Sequence, residues 1–501
     1  MARIGWIAAL LAVLAAGTWL RWNAATRAGS AFLDVDEPIY LNIGINAARL
    51  GVLGPEPAIP SPGRMPAGPA WIALSQFGKG AADPLRARHL QAVIAGLGVF
   101  VFFLFGIFLD EKRRAAVGIL AAALYALHPG LIETTAIIRT EWLDVILTAL
   151  VALFSIAWWR NPDSRSAFCF GLALGGALMS RSFLFLLVPV VILAAVLKRR
   201  RSLSLFILGV LIPLSPWMAR NAVQFRAFIP FERGAAEPSL YYSSLGLPGS
   251  KGLSEYEAMA VEAHPALAAL DTVARKKALG SLARRNIIKQ PQRFLNGALK
   301  RFPVIWSGHL WLLLFGFIGF CLARRRVEAK ILAGLWVYYN LHVFVDIHLM
   351  RLYPGIVPLL GLCVLGLLEI PGFSKRIPPP ALSDSLQRWG MAALLTLLIP
   401  GFFFLAREAS WVARVNTPEA KVFLDRIVLD PNAGLPLLDE NAEKYPSFAA
   451  LHVTHASLLL GAGRSVEACA SLRKAHRIIA PLGAAGGELG SRISTSLSAC
   501  N

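Results

Sequence analysis

Apolar residues along this chain come in blocks near twenty long. They fall at about 4–22, 88–109, 115–132, 141–159, 167–181, 182–197, 203–217, 306–323, 329–348, 352–370 and 389–406. A helix needs about 20 apolar residues to cross a hydrocarbon core of roughly 30 Å. The pattern predicts an all-α polytopic membrane protein with about eleven transmembrane helices. The weakest boundary is "MSRSF" (179–183), a very short turn between two blocks. The first block ends in Trp19, Arg21 and Trp22 and lacks a clear A-x-A site, so it reads as an uncleaved first helix.

The polar stretches sort into two kinds. Short basic loops at "DEKRR" (110–114), "RNPDSR" (160–165), "KRRRS" (198–202), "ARRRVEAK" (323–330) and "SKR" (374–376) share one side with the N-terminus. By the positive-inside rule that side is the cytoplasm. Three larger pieces then lie outside: 23–87, 218–305 and the tail 407–501. This divides the chain into a transmembrane domain, 1–406, and a small outer domain, 407–501. The 218–305 loop carries roughly two basic residues for each acid. Contact with phosphate groups and a solvated amphipathic helix on the bilayer are both open readings of it.

Within the first outer piece, "DVDEPIYLNIGINAARLG" (34–51) predicts a short interfacial helix. Asp36 or Glu37 before Pro38 suits a helix start, and Gly51 suits a stop. In the tail, 446–481 reads as two amphipathic helices with a turn at Gly461–Gly463. Small residues at Ala456, Gly463, Ala468 and Ala475, with Leu459 and Leu472, follow tetratricopeptide spacing. Flanking helices near 418–429, 432–444 and 484–498 are expected to cover the apolar faces, and the domain offers a surface for a protein partner.

Composition agrees with this class: 56% of residues are hydrophobic and the mean hydropathy is +0.57. The net charge of +20 reports membrane topology, with no nucleic-acid partner implied. Cys169, Cys321 and Cys363 lie in or beside apolar segments. Cys469 and Cys500 can pair if the tail lies in an oxidising compartment. The sequence holds no zinc-type cluster, P-loop or dinucleotide fingerprint.

Charge gathers at one rim. Besides Asp34, Asp36 and Glu37, the outer ends of the apolar blocks carry Arg64, Arg139, Glu141, Asp144, Arg220 and Arg351. Each arginine alone reads as a snorkelling anchor, whereas together they suit a lipid-linked phosphate beside a carboxylate.

The segments "DEPIY" with "ARLG", "GRMPAGPAW", "RTEWLD", "GALMSRS", "PWMARN" and "RLYPGIVPLL" resemble, in order, landmarks of the C-type glycosyltransferases. These include protein O-mannosyltransferases and the lipid A aminoarabinose transferase. The resemblance covers about residues 1–370. It implies an enzyme of the bacterial inner membrane, N-terminus cytoplasmic and active site periplasmic. A sugar would pass from a polyprenyl-phosphate donor to a lipid, glycan or protein acceptor hydroxyl in one inverting displacement. Asp36 would be the general base, with Glu37 orienting Asp36 or the acceptor. Arg64, Arg139, Arg220 and Arg351 would contact phosphate, and Tyr40 would line the pocket. Either Glu141 or Asp144 would be a second functional acid, and Asp34 a solvated neighbour or cap. The aminoarabinose branch reads Glu-Lys-Pro-Pro where this chain reads Gly63-Arg64-Met65-Pro66, so a divalent metal is possible but not indicated. A flippase of lipid-linked glycan and a polysaccharide ligase or polymerase are the alternatives. The first usually has mid-span charges and repeated halves, and neither is evident in the sequence.

Overall fold

The computed structural model describes residues 2–34, 36–55, 60–78, 82–110, 114–197, 202–225, 228–232, 236–247, 253–270, 272–344, 353–370, 386–415, 449–479, 487–498 and 500. All its regular elements are helical. They are α1 (Ala2–Ala28), α2 (Glu37–Leu50), α3 (Ala67–Gln76), α4 (Pro84–Leu109), α5 (Arg114–Leu127), α6 (Pro129–Glu133) and α7 (Glu141–Arg160). Then come α8 (Ser164–Ser180), α9 (Leu187–Leu197), α10 (Leu203–Phe225), α11 (Ala236–Ser244), α12 (Leu253–Ala263), α13 (Thr272–Lys289) and α14 (Pro291–Trp306). The remainder are α15 (Leu310–Ala323), α16 (Val327–Asn340), α17 (Tyr353–Glu369), α18 (Leu386–Val415), α19 (Ala449–Gly461), α20 (Ser465–Ile479) and α21 (Gly487–Ser498). Short 3-10 turns join several of them.

Among the described residues, six helical stretches are long and apolar enough to cross a membrane: Gly5–Ala28, Pro84–Leu109, Glu141–Arg160, Leu203–Phe225, Pro291–Ala323 and Trp389–Ala406. A seventh arises if α5 and α6, bent by 65° at their break, form one span. The expected eleven counts shorter helices as well, α8, α9, α16 and α17. Two boundaries differ from expectation. The first helix runs to Ala28, six residues beyond Trp22. The helix that leads into the span expected from 306 begins earlier, at Pro291, so its first turns belong to the 218–305 loop.

Arg21 explains the first difference. It does not end the helix at an interface but is fully buried inside the protein. Its guanidinium donates to the carbonyls of Gly17, Ala126 and Tyr125 at 3.1, 3.1 and 3.0 Å. The last two belong to the final turn of α5. Pro129 has no N–H to offer Tyr125, and the helix bends there. Arg21 takes the place of the missing donor, so the apolar surroundings hold no orphaned carbonyl at the kink.

Close packing comes from small residues. A Cβ on Gly171 of α8 would stand 2.1 Å from the Phe206 carbonyl oxygen of α10. One on Gly366 of α17 would stand 2.4 Å from Gly319 Cα of α15. Glycine there lets backbones meet, as helices in lipid require. The axis of the bundle is α7, whose most apolar stretch is 94% buried.

Ion pairs mark two opposite ends. At one end, Arg160 pairs with Glu328, and Arg326 with Asp110 at 3.1 Å and Glu369 at 3.4 Å. These join the last residues of α4, α7 and α17 to the first of α16. At the other end lie the C-terminus of α1, the start of α7 and the segments carrying Asp34 to Arg64. There α2 is not a one-sided surface helix: Ile43, Ile45, Asn46 and Ala47 are all buried. It packs on α3, where a Cβ on Gly44 would fall 2.5 Å from Ile72. Its bounds match expectation. Gly51 closes it at φ 73°, donating to Ala47.

The tail helices α19 and α20 form an antiparallel pair turning at Gly463, φ 75°. Ala456, Leu459, Ala468, Leu472 and Ala475 are buried as the repeat spacing leads one to expect, and so are His452, His455 and Ser471. The flanking helix α21 is present, and Cys500 just beyond it is disulfide-bonded to Cys469 of α20. The helices expected near 418–429 and 432–444 lie outside the described residues.

Arg21→Ala is expected to lower stability by about 2 kcal/mol, the cost of orphaned buried carbonyls. Thermal unfolding in detergent micelles or nanodiscs measures it.

Candidate functional site

The N-terminus of α2 is held by a sealed ion pair. Both carboxylate oxygens of Glu37 accept from Arg88 of α4, at 2.9 and 3.0 Å, and neither side chain is exposed. Glu37 also accepts the backbone N–H groups of Ile138 at 2.7 Å and of Leu33. Arg88 donates further to the carbonyls of Ala136, Gly29 and Ala31. One buried pair thereby fixes three separate chain segments: the end of α1, the start of α2 and the strand of loop before α7.

That anchoring frees Asp36. It occupies the N-cap position of α2 but makes no side-chain cap bond. Its carboxylate faces Arg139, 3.2 Å away, and Arg64, 3.7 Å away. Local spacing favoured a cap. Pro38 has no N–H to cap, and the Glu37 N–H already donates to the Asp34 carbonyl at 3.2 Å.

Arg139 is the hub. It also reaches Asp34 at 2.9 Å and Glu141 at 3.4 Å, with only 2% of its side chain exposed. Burial opposes its charge, but the carboxylates of Glu141 and Asp36 more than offset this and hold its guanidinium above its ordinary value. Asp34, expected as a solvated neighbour or a cap, holds Arg139 at 2.9 Å and accepts the Asp36 N–H at 2.9 Å, the second in the manner of a cap.

The network continues to Arg181, between α8 and the turn before α9. Arg181 pairs with Glu141 at 2.9 Å and approaches Asp144 at 3.9 Å. Glu141 and Asp144 lie one turn apart on α7, so both present to one arginine. Asp144 further accepts from Thr140 at 3.3 Å. Beyond it opens a narrow cleft of about 20 Å³. Asp144, Thr148, Arg181, Phe183 and Tyr339 line it, with Pro354 at its edge. The hydroxyls of Thr148 and Tyr339 bond at 2.6 Å, and the Phe183 ring stacks on Tyr339 at 5.1 Å.

Of the residues expected from sequence, Asp36, Tyr40, Arg64, Arg139, Glu141 and Asp144 therefore gather in one layer. Tyr40 lies under Arg64, 5.4 Å from its guanidinium carbon. Arg220 stands aside. It donates to the loop carbonyls of Ser61 and Leu53, both at 3.2 Å, and to Asn221 at 2.7 Å. It thereby steadies the loop that carries Arg64. Arg351 lies outside the described residues. Sequence reasoning missed Arg88 and Arg181 as site residues. Arg181 left a signal, a charge inside "GALMSRS" between two apolar blocks. Arg88 left none beyond its place at the start of a span.

Among the described residues, no three His, Cys, Asp or Glu side chains cluster as metal ligands. No protein-family model matches the chain, and no curated protein sequence matches it significantly.

Glu37→Ala should cost about 3–5 kcal/mol, because it leaves the Arg88 charge buried and uncompensated. Asp36→Asn should cost about 1 kcal/mol or less, as its partly exposed pairs are weak. Thermal unfolding of the two variants side by side tests the contrast.

Proposed function

We propose that this chain is a membrane glycosyltransferase that moves one sugar from a polyprenyl-phosphate donor to an acceptor hydroxyl. The observation that carries the reading is the unequal access of the clustered acids. The side chains of Glu37, Glu141, Asp144 and Asp34 are 0, 2, 9 and 11% exposed, whereas that of Asp36 is 23% exposed. A general base must be reached by the group it deprotonates. Among the acids ion-paired to Arg139 or Arg181, Asp36 is the most open, and it faces two arginines; Glu232, half-buried near Arg64 and Arg181, accepts from Ser182 instead.

The roles follow from the contacts. The acceptor hydroxyl gives its proton to Asp36 as its oxygen bonds to the anomeric carbon. The carbon–oxygen bond to phosphate breaks, and its electron pair leaves with the phosphate. Arg64 and Arg181, partly open at 20 and 14% exposure, are the cations a phosphate reaches. Their positive charge stabilises the leaving group. Arg139 positions Asp36, and Glu37 positions the helix that carries it. In this proposal the sugar ring docks at the cleft beyond Asp144, which widens to take it: an aromatic wall beside a carboxylate and two hydroxyls matches a polyhydroxylated ring.

The same reading sets the topology. The shorter helices α8, α9, α16 and α17 count as spans, giving eleven. Arg160 and Arg326 mark the cytoplasmic end, which puts Asp36 and the tail in the periplasm of a bacterial inner membrane. A disulfide in the tail fits an oxidising compartment.

The test gives the purified protein a panel of polyprenyl-phosphate sugars with lipid, glycan and peptide acceptors. Wild type is expected to consume at least one donor. Asp36→Asn, folded by thermal unfolding, is expected to transfer at least about 100-fold more slowly. Undiminished transfer by that variant would contradict the role of Asp36. Tyr339→Phe is expected to raise KM for the donor several-fold with kcat little changed, since its hydroxyl binds the ring and not the reacting atoms.

A further inference from the structure

We infer that α13 and α14 form a docking surface for anionic phospholipid headgroups of the bilayer that holds the protein. Residues 272–306 contain no acidic residue and nine lysines and arginines. The helices order these charges. The inner face of α13, Leu279 and Ala283, packs with Tyr241, Ala260 and Leu267 into a small helical core. Asn286 on the same face donates to Ser244 of α11 at 3.0 Å. The opposite face is left outward, and it bears Lys277, Arg284, Arg285 and Lys289, all exposed. Ile288 sits among them at 80% exposure.

Two of the nine cations are held within the protein. Arg275 donates to the carbonyls of Leu267 and Leu270, and Arg301 is fully buried on Gly297. The outward set extends on α14 with exposed Arg293 and Lys300, interleaved with Leu295 at 48% and Leu299 at 71% exposure. Exposed apolar residues alternating with cations mark a helix at a headgroup boundary, the apolar groups entering the acyl edge and the cations meeting phosphate.

Position selects the occupant. Only Gln290 separates α13 from α14, and α14 continues through Ser307–His309 into α15, Pro291–Ala323 containing an 18-residue stretch apolar enough to span. Lys300 lies six residues before the apolar block 306–323, so α14, with α13 before it, leads into the membrane edge. A lipid surface is always present there, whereas a soluble polyanion would have to be recruited. Each cation near an anionic surface strengthens adsorption about fivefold. This surface is independent of the transfer chemistry and does not rest on it.

The test uses the full chain with Cys169, Cys321 and Cys363 replaced by alanine and Ile288→Cys labelled with a bimane dye. The protein is placed in nanodiscs of phosphatidylcholine alone or with phosphatidylglycerol. The dye is expected to emit at shorter wavelength and to be quenched by nitroxide-labelled lipid in the anionic discs. That shift should be lost in high salt and in Lys277→Glu/Arg284→Glu/Arg285→Glu/Lys289→Glu. Unchanged melting of the labelled protein shows that the fold survives the substitutions. Dye that remains water-exposed in both discs, or lipid-buried equally in both, would overturn the inference.

Discussion

The outer layer of this protein depends on arginines held inside it by carboxylates. Arg88 and Glu37 share no exposed surface, and their pair ties α1, α2, α4 and the segment before α7 at one point. A buried pair of this kind is not a large net source of stability, because desolvation offsets much of the attraction. Its value is geometric, since removing either partner leaves the other charge unpaid. It sets the start of α2, and with it the place of Asp36.

Arg139 then collects the remaining acids. It draws Asp34, Asp36 and Glu141 from two distant parts of the chain to within 3.4 Å. Arg181 repeats the arrangement with Glu141 and Asp144. The result is a row of alternating sign that runs from the partly open Asp36 into the cleft at Tyr339. Such a row holds its acids and its cations in fixed positions by pairing each with the next. A phosphate ester entering at Arg64 and Arg181 would meet positive charge already oriented, which is the preorganisation that charge-developing reactions need.

Much of this was legible in the sequence where the information is local. The bounds of α2 follow from Asp36, Pro38 and Gly51, and the tail pair from the small residues at Ala456 and Ala468. The layer of outer charges was visible because polar residues at the ends of apolar blocks are conspicuous. What could not be read was pairing across long separations. Arg88 lies 51 residues from Glu37, and Arg139 lies 105 from Asp34. Nothing in local spacing tells which acid each will choose. Hence Asp34 read as a bystander and Glu37 as an open helper. Arg21 misled for the same reason: beside Trp19 and Trp22 it resembles an interface anchor, but its partners are carbonyls of α5 freed by a proline.

We propose that the open carboxylate of Asp36 deprotonates an acceptor while the sugar leaves phosphate in one displacement. The anomeric configuration of the transferred sugar tests it most directly. It is read by NMR coupling constants on product made from a donor of known configuration. Inversion is the predicted result. Retention would require two displacements through a covalent sugar–enzyme intermediate and would contradict the account.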